Sequence, residues 1–545
     1  MSESPQDHVE RGMVSAVGTI GAATLASRIL GYARDMVIAR AFGAGPATDA
    51  FLVAFRIPNL LRRLLAEGAL ATAVVPVFTE TLARDGSAAF GRMTRAVAGV
   101  ALVALCVVAA LGVLLAPWVV TVMAPGWRAD TRLFALAVRL TRVMCPYLVL
   151  VGWAALAMGA LNARHRFLAP ALGPALLNVA MIAAVLGLAG WVTPPIMALA
   201  IGVLVGGVGQ LGVQLPALRR LGVSLIPSAE WRHPAVARIA ARLWPAVFAL
   251  AGVQITVVLN TLLASLLPAG TVSFLYYADR VMEFPLGVFG VALATAALPS
   301  MAAQAAHGEV PGVRATLEFA LRLAAFVAVP AAVGLVLLGR PIVALLFQRG
   351  EFGASDAALT AQALAGYAVG LPAFSATRIA VQAFYALGDT RTPVWIGLGV
   401  VVVNVALALL LMWPLRQGGL ALASSLSAYV NALSLCWLLR HRLGGPGGAP
   451  LWRSLGRTLA AATVLALWCV WMAGALGSAA LPAPTADGPG LAPDLAPSLG
   501  WMLLALGGGV AVYAASAALL RSAELAALRA MLQRRPGVLP PPAAR

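Results

Sequence analysis

The 545-residue sequence contains no lysine, and all 38 of its basic residues are arginine. Acidic residues are also scarce, at 20 Asp plus Glu, so only 11% of the chain is charged, where a water-soluble chain carries about a quarter. With so few charges and 61% hydrophobic residues, a polar outer surface cannot be assembled. A mean hydropathy of +0.91 therefore points to an integral membrane protein. The missing lysine excludes a G-x-x-x-x-G-K-[ST] phosphate loop, so an ATP-driven pump would need its ATPase on another chain. Cysteine is limited to Cys106, Cys145, Cys436 and Cys469, scattered through apolar stretches without a C-x-x-C pair, which suits packing rather than metal binding. The five histidines (His8, His165, His233, His307, His441) never pair at i, i+4, arguing against zinc. Residues 1–13 are polar and partly acidic (Glu3, Asp7, Glu10), so no cleaved signal peptide is expected. The net charge of +18 is spread over short loops, a sign of membrane topology and not of nucleic-acid binding.

What is abundant is long apolar sequence. Taking about 20 apolar residues per span, fourteen segments qualify. They lie near 14–43, 48–82, 93–123, 133–163, 168–190, 195–218, 236–267, 271–304, 315–347, 357–387, 393–414, 418–440, 453–476 and 499–520. Arginine collects on alternate connections: Arg84, Arg92 and Arg95; Arg164 and Arg166; Arg219, Arg220, Arg232, Arg238 and Arg242; Arg314 and Arg322; Arg391; Arg440, Arg442, Arg453 and Arg457; then the tail from Arg521. The positive-inside rule makes that side cytoplasmic, with both termini there and an even number of spans.

Ala-Leu-Ala-Thr-Ala-Val-Val-Pro at 69–76 recurs as Ala-Leu-Ala-Thr-Ala-Ala-Leu-Pro at 292–299, in the second and eighth spans. Six intervening spans leave both copies pointing the same way, which predicts two parallel six-helix lobes plus two C-terminal helices. The expected fold is an all-α integral membrane protein. Its parts are a cytoplasmic N-terminal tail (1–13), an N-lobe (14–222), a cytoplasmic linker (223–234) and a C-lobe (235–443). The last two spans occupy 444–520 with a flexible outer loop at 477–498, and a cytoplasmic tail covers 521–545.

The informative residues are ionisable ones inside apolar spans. A centrally placed Arg or Asp costs about 2.5–3.5 kcal/mol on the insertion scale, so four facing lipid would cost about 10–14 kcal/mol, comparable to the stability of a whole fold. The first two spans hold Arg28, Arg34, Arg40, Arg56, Arg62 and Arg63 against Asp35, Asp49 and Glu67. Arg28, Tyr32 and Asp35 fall at i, i+4, i+7, and Arg56, Asn59, Arg63 and Glu67 form a second stripe, with Pro58 expected to bend the helix. The eighth span places Tyr276, Asp279, Arg280 and Glu283 on one face. Ion pairs of Arg63 with Glu67, and of Arg280 with Asp279 or Glu283, are the simplest use of these groups. The surplus of positives in the first two spans goes further, because a desolvated arginine cluster suits a phosphate or diphosphate gripped bidentately. Arg142 and Arg378 lie within or near spans, and their spacing leaves open whether they snorkel to an interface or face inward.

Three charged stretches carry a resemblance. Ser27–Asp35 with Asp49-Ala50-Phe51, Pro58-Asn59-Leu60-Leu61-Arg62-Arg63 continuing to Ala69, and Tyr276–Pro285 resemble the MurJ (MviN) family of lipid II flippases, within the multidrug/oligosaccharidyl-lipid/polysaccharide exporter superfamily. The resemblance implies a substrate, undecaprenyl-diphosphate-linked peptidoglycan precursor, moved from the cytoplasmic to the periplasmic leaflet of the bacterial inner membrane. It implies that Arg28, Arg34, Arg62 and Arg280 line a central cavity and meet the diphosphate. Asp35, Asp49, Asn59, Arg63, Glu67, Asp279 and Glu283 take supporting or gating roles, and the last two spans accommodate the lipid tail. Some members are thought to bind sodium through an acid in the seventh span. Here that region has no Asp or Glu, and Asn260 is the most obvious polar candidate, either for a weak cation site or for interhelical hydrogen bonding.

The mechanism this implies is alternating access without a chemical step or cofactor, in which only the headgroup crosses. Moving two full negative charges outward across the whole of a 100 mV potential, inside negative, is favoured by about 4.6 kcal/mol. Lipid II and the membrane are the expected partners, with cell-wall synthesis proteins as further candidates. An exporter of another lipid-linked oligosaccharide on the same fold is the nearest alternative. A drug-cation antiporter would need an acidic cavity, and a membrane transferase a carboxylate cluster for Mg²⁺; neither is present in the sequence.

Overall fold

The computed structural model describes residues 5–62, 70–444, 448–479 and 495–533, and these are helical with short connections. Arg63 and Glu67 lie outside the described residues. No strand occurs among the described residues, as hydrocarbon requires of a chain that does not close a barrel. Helices cover the described part of every segment expected to span. Among the described residues eight helices qualify as spans by length and composition alone, or nine if a bent pair is joined. The number falls short of fourteen partly because α1 (Pro5–Phe42) carries Arg28, Arg34, Asp35 and Arg40 within its apolar stretch and α2 (Pro46–Arg62) is only 17 residues long. Two expected spans are also merged in α16 (Arg391–Leu443), which folds back at Arg416 (φ 47°), two residues after Pro414. Outer helix faces are built for lipid: Leu186 is 74% exposed and Leu410 69%, which water would not tolerate on this scale.

The chain packs as two compact units. The first comprises Met1–Ser273 with Arg349–Gly353, and the second Phe274–Gln348 with Ala354–Arg545. In the first unit, α3 (Leu70–Leu114) turns at Gly86 (φ 77°), bringing Phe78 and Phe90 edge to face at 5.6 Å. They centre a core shared with α6 (Tyr147–Ala163) and α8 (Met197–Arg220). Hydrocarbon supplies no hydrophobic drive between helices, so close approach must do the work. Between α7 (Leu168–Leu188) and α8 it is provided by Gly202 and Gly206, where a Cβ would come within 2.9 Å of Ala184 and 2.6 Å of Leu177. The segment 223–234, expected as a linker, is seated on α3 by Ser228 N–H donating to the Arg95 carbonyl at 3.0 Å. α9 (Pro234–Ser265) follows and packs on α3.

α10 (Thr271–Pro285) opens in the first unit, which runs to Ser273, and in the second it widens into a π-helix over Leu286–Val291, because Pro285 supplies no N–H for the α-helical ladder. α11 (Ala292–Ala306), which opens on the second copy of the repeat, packs with α12 (Val310–Leu337), α15 (Leu371–Ala386) and α16 around Met301, Leu317 and Phe384. α17 (Ala449–Ala479) and α18 (Leu495–Leu519) form a hairpin against α12, and α19 (Ala523–Gln533) ends the described chain. Three boundaries differ from expectation. The helix of the first span already begins at Pro5, α17 and α18 extend into the segment expected as an outer loop, and the tail contains α19. Capping and short polar bonds decide such ends, and apolar periodicity does not register them.

One helix start is tied down outside the membrane. Asp389 accepts the N–H groups of Arg391 and Thr392 at 3.0 Å and the Thr392 hydroxyl at 2.6 Å, and it pairs with Arg442 at 2.6 Å. The Thr392 hydroxyl and N–H, then Arg442, hold this carboxyl well below the usual range despite the opposing cost of desolvation. A depressed carboxyl stabilises the fold above its unfolded pKa and loses that contribution as pH falls through its folded value. Asp389→Ala should therefore lower stability by about 1 kcal/mol. Thermal unfolding should show that difference unchanged across neutral pH and shrinking only below about pH 4.

Candidate functional site

The first unit carries six arginines on α1 and α2, among them Arg28, Arg34, Arg56 and Arg62. Arg34 is 7% exposed and Asp35 1%, and Arg34 directs Nε (3.0 Å) and Nη2 (2.6 Å) onto a single Asp35 oxygen. Adjacent residues point about 100° apart on a helix, yet the long guanidinium stem folds back far enough to meet its neighbour. The expected stripe of Arg28, Tyr32 and Asp35 is thus divided: Asp35 is buried with Arg34, whereas Arg28 is exposed and forms no ion pair among the described residues.

Arg34 has a second holder that spacing could not reveal. Its Nη1 donates to Asn178 Oδ1 on α7 at 3.1 Å, while Asn178 Nδ2 donates to the Ser27 carbonyl at 3.1 Å. One buried amide therefore fixes the guanidinium and the α1 backbone together. The available signal was a lone Asn in an apolar span, which is costly without partners. On α2, which continues helically through Pro58, Arg62 donates Nε and Nη2 to Asn59 Oδ1 at 3.1 and 3.0 Å. Arg56 bonds the Thr261 hydroxyl and the Val257 carbonyl of α9. Asn260, on the same helix, is partly buried.

Asp49 is 1% exposed and does a different task. Its carboxylate accepts Gly270 N–H (2.6 Å), Ser273 N–H (2.8 Å) and the Ser273 hydroxyl (2.5 Å). It supplies the orphan donors of the first turn of α10 with an anion, placed where the helix dipole favours one. Beside it, Gly350 (φ 58°) lets a turn approach the end of α1 so that Glu351 N–H reaches the Arg40 carbonyl at 3.0 Å; a Cβ there would stand 2.3 Å from that oxygen.

In the second unit, Arg280 lies over the Tyr276 ring at 5.2 Å, donates to its hydroxyl at 3.3 Å and pairs with Glu283 at 2.9 Å. Of the two acids considered, Glu283 makes this ion pair, while Asp279 is partly buried on the same helix. Arg378 lies on α15 and is exposed. Arg142 does not join either cluster: its Nε donates to the Val113 carbonyl at 3.3 Å, one of the carbonyls left open by the end of α3. Among the described residues no group of three or more His, Cys, Asp or Glu side chains could hold a metal.

These are features of a polytopic membrane protein that holds arginines inside apolar helices. The fold matches the inward-facing form of a multidrug resistance MATE family transporter of the MOP superfamily, with a TM-score of 0.60 at 17% identity, covering 77% of this chain and 94% of that one. It matches a lipid II flippase MurJ in an inward closed conformation more fully, with a TM-score of 0.73 at 21% identity over 94% of this chain and 99% of that one. The family model described as lipid II flippase MurJ matches residues 38–480. The lipid II flippase MurJ of Burkholderia cenocepacia is 41% identical over 462 residues, 83% of this chain and 89% of that protein. The chain belongs to the MurJ lipid II flippase family.

Removing the Asp49 carboxylate would leave two buried N–H groups at the start of α10 without their acceptor. Asp49→Ala should cost about 1–3 kcal/mol, read as a lowered Tm of the purified protein. Asp49→Asn, which retains one acceptor oxygen, should fall between the two.

Proposed function

We infer that this protein flips lipid II, the undecaprenyl-diphosphate-linked peptidoglycan precursor, across the bacterial inner membrane from the cytoplasmic to the periplasmic leaflet. The observation that carries the reading is the membership of the family together with the arginines of its motifs, placed in apolar helices and oriented by Asn178, Asn59 and Tyr276. A diphosphate offers oxygens that match guanidinium geometry. Arg28 needs no prior partner to be displaced, whereas Arg34 and Arg280 would exchange Asp35 and Glu283 for substrate oxygens. Because those carboxylates stay beside the arginines, they make the grip reversible: a departing headgroup is replaced by the acid it displaced.

The transport cycle is alternating access, with both termini cytoplasmic and the polyprenyl tail remaining in lipid against the α17–α18 hairpin. The membrane potential, worth about 2.3 kcal/mol per charge at 100 mV, drives the doubly negative headgroup outward. Asn178 acts by aiming Arg34, a task that no charge count would assign to it.

The test is to deplete a bacterium's own lipid II flippase and supply this chain intact, as Arg280→Ala or as Asn178→Ala, with each protein quantified in the membrane. Lipid-linked precursor exposed on the outer leaflet is the readout. The intact chain should restore it. Arg280→Ala should reduce it at least thirtyfold, since truncating one side of a desolvated charge contact costs about 2–5 kcal/mol. Asn178→Ala should reduce it about tenfold, as expected for one hydrogen bond to a charged group. A well-expressed intact chain that fails would redirect the assignment to another lipid-linked glycan.

A further inference from the structure

A buried polar node lies far along the chain from the arginine motifs, where α12, α17 and α19 meet. Glu524, the second residue of α19, is 3% exposed. Its two oxygens are divided between elements: Oε1 accepts the Ser454 hydroxyl of α17 at 2.8 Å, and Oε2 accepts the Ser522 hydroxyl of the α18–α19 turn at 2.9 Å. Arg322 of α12 stands 3.6 Å from Oε1. Ser454 and Ser522 are themselves buried. Nearby, Arg457 of α17 donates to the Arg521 carbonyl at 3.0 Å, closing the same turn.

The rest of the contact between α12 and the hairpin is apolar. Phe326 meets Ala461, Ala462, Leu465, Ala505 and Tyr513, with the Phe326 and Tyr513 rings 5.1 Å apart. In lipid such faces gain little from leaving their solvent, which is as apolar as they are. Small side chains such as Ala461 and Ala462 also slide past one another without penalty, so they define register poorly. Among the described residues the polar ties from α12 to the hairpin and α19 are the Arg322–Glu524 ion pair and the Tyr513 hydroxyl donating to the Phe326 carbonyl at 2.8 Å. Glu524 is the group that joins three elements at once. Its carboxyl lies outside the spans. Desolvation raises its pKa, but the hydroxyls of Ser454 and Ser522, a backbone N–H and Arg322 outweigh it, leaving the group below its ordinary range and ionised at neutral pH.

We propose that Glu524 is a positioning residue for transport: through α19 it clamps the α17–α18 hairpin onto α12, so that the short terminal helix is a strap that sets where the hairpin stands. The transport half of this proposal rests on the reading of the hairpin as the seat of the polyprenyl tail. The clamp itself does not.

The test uses the full chain with its native cysteines replaced by alanine and spin labels at Val310→Cys on α12 and Arg529→Cys on α19, both exposed positions. In the unaltered background the label-to-label distance should be narrowly distributed. Glu524→Ala should broaden or lengthen it, and the Ser454→Ala, Ser522→Ala double variant should do the same while leaving the carboxylate in place. Glu524→Gln should fall between, because it keeps an acceptor oxygen and loses the attraction to Arg322. In the depletion assay Glu524→Ala should lower precursor flipping about tenfold at equal abundance. Distances unchanged in both the Glu524→Ala and the double variant would overturn the clamp. Altered distances with undiminished flipping would overturn the positioning role. If Glu524→Ala is not recovered as monodisperse protein, the double variant and Glu524→Gln decide the question by the same two readouts. Failure of the intact chain to rescue would count against the lipid II reading alone, and the distances would still decide the clamp.

Discussion

Hydrocarbon offers an arginine no hydrogen bonds, and a guanidinium buried among apolar helices must find its acceptors on the protein. Much of what distinguishes this structure follows from that need. Arg34 takes a single oxygen of its neighbour Asp35 and the amide of Asn178; Arg62 takes Asn59; Arg56 takes a hydroxyl and a carbonyl of α9; Arg280 takes Tyr276 and Glu283. Several of these acceptors are neutral.

Helix ends carry a related need inside and outside the membrane, because their first N–H groups have no partner within the helix. Asp49 brings an anion to the first turn of α10, and Asp389 does so for α16, each answering backbone donors that the helix cannot satisfy itself. The glycines solve the complementary problem. Apolar faces do not pull together in lipid as they do in water, so α7 and α8 approach through Gly202 and Gly206 until dispersion contacts suffice. Where faces are smooth and apolar, as between α12 and the hairpin, a buried ionic node supplies the register that packing leaves loose.

Much of this was legible in advance, because the governing pattern is one-dimensional. Apolar runs about 20 residues long, interrupted by arginine-bearing loops, announce helices one after another without any knowledge of their neighbours. The charged stretches at 27–35, 58–69 and 276–285 were long enough to carry the family resemblance, which the match over residues 38–480 bears out. The residues that hold the arginines were harder to see. Asn178 lies 144 positions from Arg34, and Glu524 lies 70 from Ser454. Helix periodicity places residues on a face but does not say which other helix that face will meet. The stripe of Arg28, Tyr32 and Asp35 fails for a related reason: a side chain as long as Arg34 chooses its own direction once an acid stands beside it.

By itself, then, the sequence determined that the chain lives in a membrane, that it is helical, where charge enters the apolar segments and to which family it belongs. Each of these depends on composition or on residues near one another in the chain. Only the tertiary structure decided which acceptors Arg34, Arg56, Arg62 and Arg280 meet. It also decided that Asp49 serves a helix start over 220 positions away, and that a terminal helix ties α12 to the final hairpin. Those outcomes are set by distance in space, and in a medium without water the energy of a polar group depends almost entirely on what lies within about 3 Å of it.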